Sequence, residues 1–434
     1  MRISAPPPRR LPPLLAVLLL LAGACRTAES VPASVAPPDA ERIQRDIAWL
    51  ADDRLEGRGT GTPGNDSAAA WLARRHGALG LRPLASDGGY LQRFVARSAQ
   101  MAHAGQPEGV AAQNVVALLP GRDPALRGQY VVIGAHFDHL GRSATGAMDP
   151  EARDAIRNGA DDNASGTAAL LELARLFAAR PARRSIIVAH FTGEELGLLG
   201  SQWFVDHPPV PLDSVAAMVN FDMVGRLRND KLIVYGVATA RELPAIVDSA
   251  NGSPALTISA VGDGFGPSDH SSFYAKGIPV LHFFTDLHDD YHRASDDADR
   301  INAAGEARVV DLAERVVRAI ADRPARLTPV RAAAPAPAAG GREGSNVYLG
   351  SIPDMSAGDA PGLRLSGVRA GSPADAAGLR AGDVIVELGG QPVKDLYGYS
   401  DALYSHKPGD RVAIVFQRDG ERQVTTATLG KRGQ

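Results

Sequence analysis

Cysteine is almost absent. Only Cys25 among the 434 residues is a cysteine, so no intramolecular disulfide can form. An excess of positive charge is also missing. The formal net charge is −3, and removing residues 1–24, with Arg2, Arg9, Arg10 and no acid, leaves the remainder near −6. A nucleic-acid partner would want a basic surface, so that class is excluded. The one long apolar run, Leu14 to Leu21, is too short to span a bilayer comfortably. No internal repeat stands out. What is present is the ordinary apolar content of a folded soluble protein, at a length that suits two or three domains.

Residues 1–24 read as an export signal, with Arg9 and Arg10 ahead of the apolar run. The following Leu21-Ala22-Gly23-Ala24-Cys25 resembles a bacterial lipobox, although Ala22 stands where leucine is usual. This predicts lipidation at Cys25 and attachment to a membrane through the lipid. Plain secretion, with cleavage after Ala24, is the alternative. Arg26 rather than aspartate follows the cysteine, which favours the outer membrane of a two-membrane cell and an exported, periplasmic or cell-surface protein. Residues 25–39, rich in Ala, Pro and Ser, would be a flexible tether.

Residues 40–325 alternate strand and helix patterns. Val115–Leu119, Tyr130–Ala135, Ser185–Phe191, Val215–Phe221 and Ile278–Phe284 are apolar runs of strand length. Leu170, Leu173, Ala174 and Phe177 recur at helical spacing. The pattern predicts an α/β fold, a largely parallel sheet sandwiched by helices. Residues 326–345 are rich in Pro, Ala and Gly and read as a linker. A small, mainly β module follows over 346–431.

Polar residues with metal-ligand chemistry gather at the carboxyl ends of the predicted strands, where open α/β sheets bind ligands. His136-Phe137-Asp138-His139 leaves the run that starts at Tyr130. Asp138 could hold the second ring nitrogen of His136, as metal-bound histidines usually require. Asn158-Gly159-Ala160-Asp161-Asp162-Asn163-Ala164-Ser165-Gly166 precedes a helix. Acids there suit a helix N-terminus, but glycine on both sides suggests backbone packed close to something. Glu194 and Glu195 follow the strand ending at Phe191, and adjacent glutamates allow one to bind metal while the other moves protons. Asp222 closes the strand ending at Phe221, and Tyr291-His292 follows the last one.

Together these segments resemble the co-catalytic di-zinc aminopeptidases of peptidase family M28, over about residues 40–325. Leu55-Glu56-Gly57-Arg58, Gly61-Thr62-Pro63-Gly64 and Ser268-Asp269-His270 also resemble that family's signatures. The resemblance implies two Zn2+ ions per chain. One would be held by His136, Asp162 and Asp222, the other by Asp162, Glu195 and His292, with Asp162 bridging. It further implies Glu194 as general base, Asp138 as the residue orienting His136, and a cis Asp162–Asn163 peptide. Tyr291 would assist at the oxyanion or simply pack. Peptides are the implied substrates, cleaved at the N-terminus.

Gly371-Ser372-Pro373 through Gly382-Asp383-Val384-Ile385 resembles a bacterial PDZ domain, with Tyr348-Leu349-Gly350-Ser351 as its carboxylate-binding loop. The implied partners are protein or peptide C-termini. The rival readings are another zinc-dependent amide chemistry, such as a carboxypeptidase or glutaminyl cyclase, and a non-catalytic peptide-binding ectodomain.

Overall fold

Each of the five apolar runs becomes a strand buried on both faces. The computed structural model describes residues 1–2, 4–5 and 36–434, apart from 98–108, 144–145, 150–151, 263, 265, 267, 331–346, 354–361, 369–370, 394–397, 400–401, 404 and 432–434. Cys25 and most of the predicted signal and tether therefore lie outside the described residues. The peptidase-like part contains β1 (Arg82–Pro83), β2 (Leu91–Ala96), β3 (Val110–Leu119), β4 (Tyr130–His136) and β5 (Ser185–Phe191). It continues through β6 (Val215–Phe221), β7 (Lys231–Tyr235), β8 (Thr257–Ala260) and β9 (Val280–Phe284). They form one sheet in the order β1-β3-β5-β4-β6-β9-β7-β8, with β2 paired to β3.

The sheet is parallel where it matters for the site and antiparallel at its flanks. β5, β4, β6 and β9 run parallel to one another. β3 lies antiparallel to β5, and β7 antiparallel to β9. Side chains alternate between faces along a strand. Val131, Ile133 and Ala135 of β4 pack with the helices Ala40–Leu50, Gly166–Ala179 and Ala303–Ala321. Val132 belongs to the opposite core, with Phe191, Met218, Phe204 and Phe273. Double burial explains why these strands read as continuous apolar runs rather than as alternating ones.

The C-terminal part has its own core, including Leu349, Leu365, Ile385, Ile414 and Phe416. Its sheet is formed by β11 (Ser351–Pro353), β12 (Leu363–Val368), β13 (Val384–Leu388), β14 (Gln391–Pro392), β15 (Arg411–Arg418) and β16 (Glu421–Thr428). β10 (Val347–Tyr348) pairs with β17 (Gly430–Lys431).

The predicted linker begins too early. Leu327 is buried in the first core, Thr328 N–H donates to Glu242, and Val330 N–H donates to the Thr239 carbonyl. The apolar side chain of Leu327 is isolated among polar and proline residues, so no periodic pattern flags it. Burying it contributes about 1.5–3 kcal/mol, and each hydrogen bond about 0.5–1.5 kcal/mol. A chain ending at Pro324 should therefore melt several degrees below one ending at Val330. Thermal unfolding of the two truncations checks this, and equal midpoints would contradict it.

Candidate metal centre

Four parallel strands deliver the site. His136 is the last residue of β4, Glu194 and Glu195 follow β5, Asp222 follows β6, and His292 lies in the loop after β9. Asp162 comes from the turn before the helix that starts at Gly166. Two groups of possible metal donors result: His136, Asp162 and Asp222, and His139, Asp162, Glu195 and His292. Asp162 belongs to both. Its Oδ1 lies 3.3 Å from His136 Nε2, and its Oδ2 lies 3.0 Å from His292 Nε2. Asp222 Oδ1 is 3.4 Å from His136 Nε2, and Glu195 Oε2 is 3.3 Å from His292 Nε2. Tetrahedral zinc with bonds of about 2.0–2.1 Å holds its ligand atoms about 3.4 Å apart. Asp222 Oδ1 is buried without a hydrogen-bond donor, as a ligand oxygen would be. Nitrogen and carboxylate donors suit zinc, so the residues fit the metal.

The outer hydrogen bonds aim these donors. His292 Nδ1 lies 2.9 Å from the Gly146 carbonyl, which turns Nε2 toward the carboxylates. The Ser268 hydroxyl donates to Asp222 Oδ2 at 2.7 Å. His136 Nδ1 meets the backbone carbonyl of Asp138 at 3.2 Å, whereas the Asp138 carboxylate is 3.7 Å away. That carboxylate instead accepts from the Thr60 hydroxyl and, at 3.3 Å, from the Glu194 N–H. Asp138 thus reaches His136 through its main chain and Glu194 through its side chain, a division that residue spacing does not reveal.

His139 has no role in the sequence reading, yet its Nδ1 lies 2.7 Å from Glu195 Oε1. Its signal was the histidine three residues after His136 in the same segment. Packing explains the flanking glycines as well. A Cβ on Gly159, which has φ +57°, would sit 2.4 Å from the His139 ring and 2.0 Å from the Asp162 carbonyl oxygen. One on Gly166 would sit 2.3 Å from the Phe221 carbonyl oxygen. The Asp162–Asn163 peptide is cis. Asn163 donates to the Phe221 carbonyl at 3.0 Å, which an aspartate could not do when ionised.

Arg58, quoted from the sequence only as part of a signature, is fully buried. Its guanidinium donates to the carbonyls of Leu50, Phe137, Asn158 and Gly159 at 2.6–3.0 Å. It joins the His136 and Asp162 segments from below, and burial pushes its pKa down to about 10.

Burial, and then the charges of Glu195, Asp222 and Asp269, hold the Glu194 carboxyl well above its ordinary range against the opposing pull of His136. Burial would lower His292, but Glu195 and Asp162 outweigh it and hold its pKa up at about 9. His136 is likewise raised, against burial, chiefly by Asp222 and Glu194. Tyr291 stacks on His292 with ring centroids 3.8 Å apart, and burial raises its hydroxyl well above its usual range.

The second predicted site lies in the C-terminal part. Gly350 has φ +85°, and a Cβ there would meet Ser372 at 2.2 Å. Leu349 is core, so only its backbone faces the loop. Ser351 begins β11, which among the described strands pairs only with β12, and its hydroxyl bonds that of Tyr399.

The sequence pattern of Peptidase family M28 matches residues 114–317, and that of the PDZ domain matches residues 347–429. A probable zinc metalloprotease of Leptosphaeria maculans is 33% identical over 208 residues, 47% of this chain and 45% of the relative. Leucine aminopeptidase 1 of Arthroderma otae is 27% identical over 273 residues, 58% and 65% of the two chains. The chain thus spans less than two thirds of the length of these curated relatives. Among solved structures, a Zn-dependent exopeptidase from Parabacteroides distasonis superposes with TM-score 0.55 at 18% identity, covering 66% of this chain and 99% of that one. A glutaminyl cyclase from Bacteroides thetaiotaomicron gives 0.53 at 18% identity, covering 65% and 99%. The fold is that of the zinc exopeptidases.

The raised histidines predict proton-coupled metal uptake. Below about pH 9 the metal-free His292 carries a proton that a cation must displace. Zinc affinity should therefore climb from pH 6 toward 9, roughly tenfold per unit for each proton released, and level off above. Calorimetric titration in buffers of different ionisation enthalpy measures the release. A flat affinity between pH 6 and 8.5 would contradict it.

Proposed function

We propose that this chain, whose residues 114–317 match the pattern of Peptidase family M28 and whose residues 347–429 match that of the PDZ domain, is a zinc-dependent aminopeptidase that holds two ions and removes N-terminal residues from peptides. One observation carries the reading: two donor groups share the carboxylate of Asp162, one oxygen turned to each. His136, Asp162 and Asp222 would hold one ion, and Asp162, Glu195 and His292 the other. When bound, zinc supplies Lewis acidity and makes water acidic enough to attack at neutral pH.

The chain's own residues do the rest. Cations beside Glu194 would reverse the upward push on its carboxyl, leaving it ionised and able to accept a proton. Asp138 fixes its main chain through the N–H it accepts. The Glu194 carboxylate then returns the proton to the leaving amine. Tyr291, stacked on His292, would donate toward a developing negative charge.

Charge favours the amino end of a substrate. Asp138, Asp162, Glu194, Glu195 and Asp222 crowd the site beside its histidines, and the nearby Arg58 is committed to four carbonyls. A free ammonium is welcome among these carboxylates, which favours the amino end. Met223, next to Asp222, belongs with Tyr235 and Phe284 to an apolar cluster that Tyr291 joins. An apolar N-terminal side chain such as leucine is the substrate that the name of the Arthroderma otae relative suggests. A cyclase needs no attacking water, so a paired donor site that activates one favours hydrolysis.

The test is a panel of amino-acid p-nitroanilides, N-acetylated controls and N-terminal glutaminyl peptides, with and without chelator. Leucine p-nitroanilide should be cleaved, its N-acetyl form should not, and chelation should abolish turnover. Cyclisation of the glutaminyl peptides without hydrolysis would select the cyclase reading. Glu194→Gln should keep zinc yet lose more than the roughly 10²–10⁴-fold usual for acid–base groups, whereas Glu195→Gln should lose zinc affinity. Swapped phenotypes would reverse the two roles.

We also propose that the PDZ domain captures peptide C-termini along the edge of β11 that no described strand pairs, and that Cys25 carries a lipid that holds the exported enzyme on a membrane. Peptides ending in a free carboxylate should bind the chain and amidated ones should not. Cys25→Ala should move the protein from the membrane to the soluble fraction. No C-terminal selectivity, or a wild-type protein already soluble without detergent, would remove the respective proposal.

A further inference from the structure

The neighbours of Asp162 turn away from the metal donors and bind something else. Three consecutive backbone N–H groups follow Asp222, and all three are accepted by side chains of the Asp162 turn. Met223 N–H reaches Asn163 Oδ1 at 3.2 Å, Val224 N–H reaches Ser165 Oγ at 3.0 Å, and Gly225 N–H reaches Asp161 Oδ1 at 2.7 Å. Asp161 and Asn163 grip this segment while Asp162 faces the other donors. The turn is thus keyed to the strand end that carries Asp222.

A second set of bonds keys it to the loop that carries His292. Asp296, four residues further on, is completely buried. Its Oδ2 accepts the N–H groups of Asp161 at 3.0 Å and Asp162 at 3.1 Å, and its carbonyl accepts that of Ala160 at 3.0 Å. From the same loop, His288 Nε2 lies 3.1 Å from Asp161 Oδ2. Ser165 donates to the Asp161 carbonyl at 2.7 Å. Asp161 and Ser165 are also fully buried. Two carboxylates without access to water, neither among the donor groups, are costly unless their partners repay them. Here the partners are the backbones of the ligand segments.

We infer that Asp161, Ser165 and Asp296 are positioning residues forming a buried clamp, which locks the Asp222 segment, the Asp162 turn and the His292 loop into one frame. The inference rests on the two-ion reading above. Its consequence is that the two donor groups are set together: loosening the clamp weakens both ions, although no clamp residue touches either.

Zinc dissociation constants, measured by chelator competition on the full chain well below its melting temperature, test this. Asp296→Ala should bind both ions about 10–100-fold more weakly, the range typical of lost outer hydrogen bonds to metal ligands. Asp296→Asn keeps an acceptor oxygen and should stay near wild type, a rescue that a role in net charge alone would not give. KM for leucine p-nitroanilide at saturating zinc should be unchanged. Ser165→Ala removes one hydroxyl and should weaken zinc about tenfold; should Asp296→Ala fail to fold, this variant decides. Wild-type zinc affinity in the variants that fold overturns the clamp and leaves the two-ion reading standing. A wild-type chain that takes up no zinc overturns both.

Discussion

Mutual repulsion among Asp138, Asp162, Glu194, Glu195 and Asp222 is the constraint that the surrounding structure answers. These side chains are drawn together at one edge of the sheet, where water screens their charges poorly. Burial and its carboxylate neighbours push Glu194 up, while the same carboxylates hold His136 and His292 above the ordinary imidazole range and the histidines hold Asp162 below the usual carboxylate range. With cations in the proposed sites, the same groups become a ligand set and a base. The cluster is thus poorly satisfied as a purely structural feature and well satisfied as a metal centre.

Holding such a cluster requires a rigid frame, and the parallel centre of the sheet supplies it. β5, β4, β6 and β9 end at the same edge, and their side chains are locked into apolar cores on both faces. The turns beyond those ends are tied by buried polar bonds rather than by apolar packing. Arg58 joins the segments of His136 and Asp162 from one side, and Asp161 and Asp296 tie them to those of Asp222 and His292 from the other. Buried polar networks of this kind specify one geometry because each member left unpaired would be expensive. Close backbone approach at Gly159 and Gly166 completes the arrangement by leaving no room for a side chain.

Much of this was legible in the residues. Double burial makes strands read as unbroken apolar runs, so the central strands could be placed within a few residues. Ligand chemistry at strand ends was visible because His136, Glu194–Glu195, Asp222 and His292 each follow such a run. The antiparallel flanks were not legible, since strand direction depends on pairing and not on composition. His139 was hidden because a histidine at a strand end reads the same whether it packs, orients or ligates. Arg58 and Asp296 were hidden because their partners are backbone groups, which leave no mark in the side-chain sequence.

Composition and spacing alone determined the α/β class, the separate C-terminal module and the presence of metal-ligand residue types at strand ends, because burial and ligand chemistry are properties of residue types. Only the tertiary structure decided which member of each neighbouring pair faces which way. Asp162 turns to the donors while Asp161 turns to the Asp222 segment, and Asp138 meets His136 through its carbonyl and Glu194 through its carboxylate. Adjacent residues of the same type are indistinguishable in a sequence; they part only when the backbone, held by contacts from distant segments, points them to opposite sides.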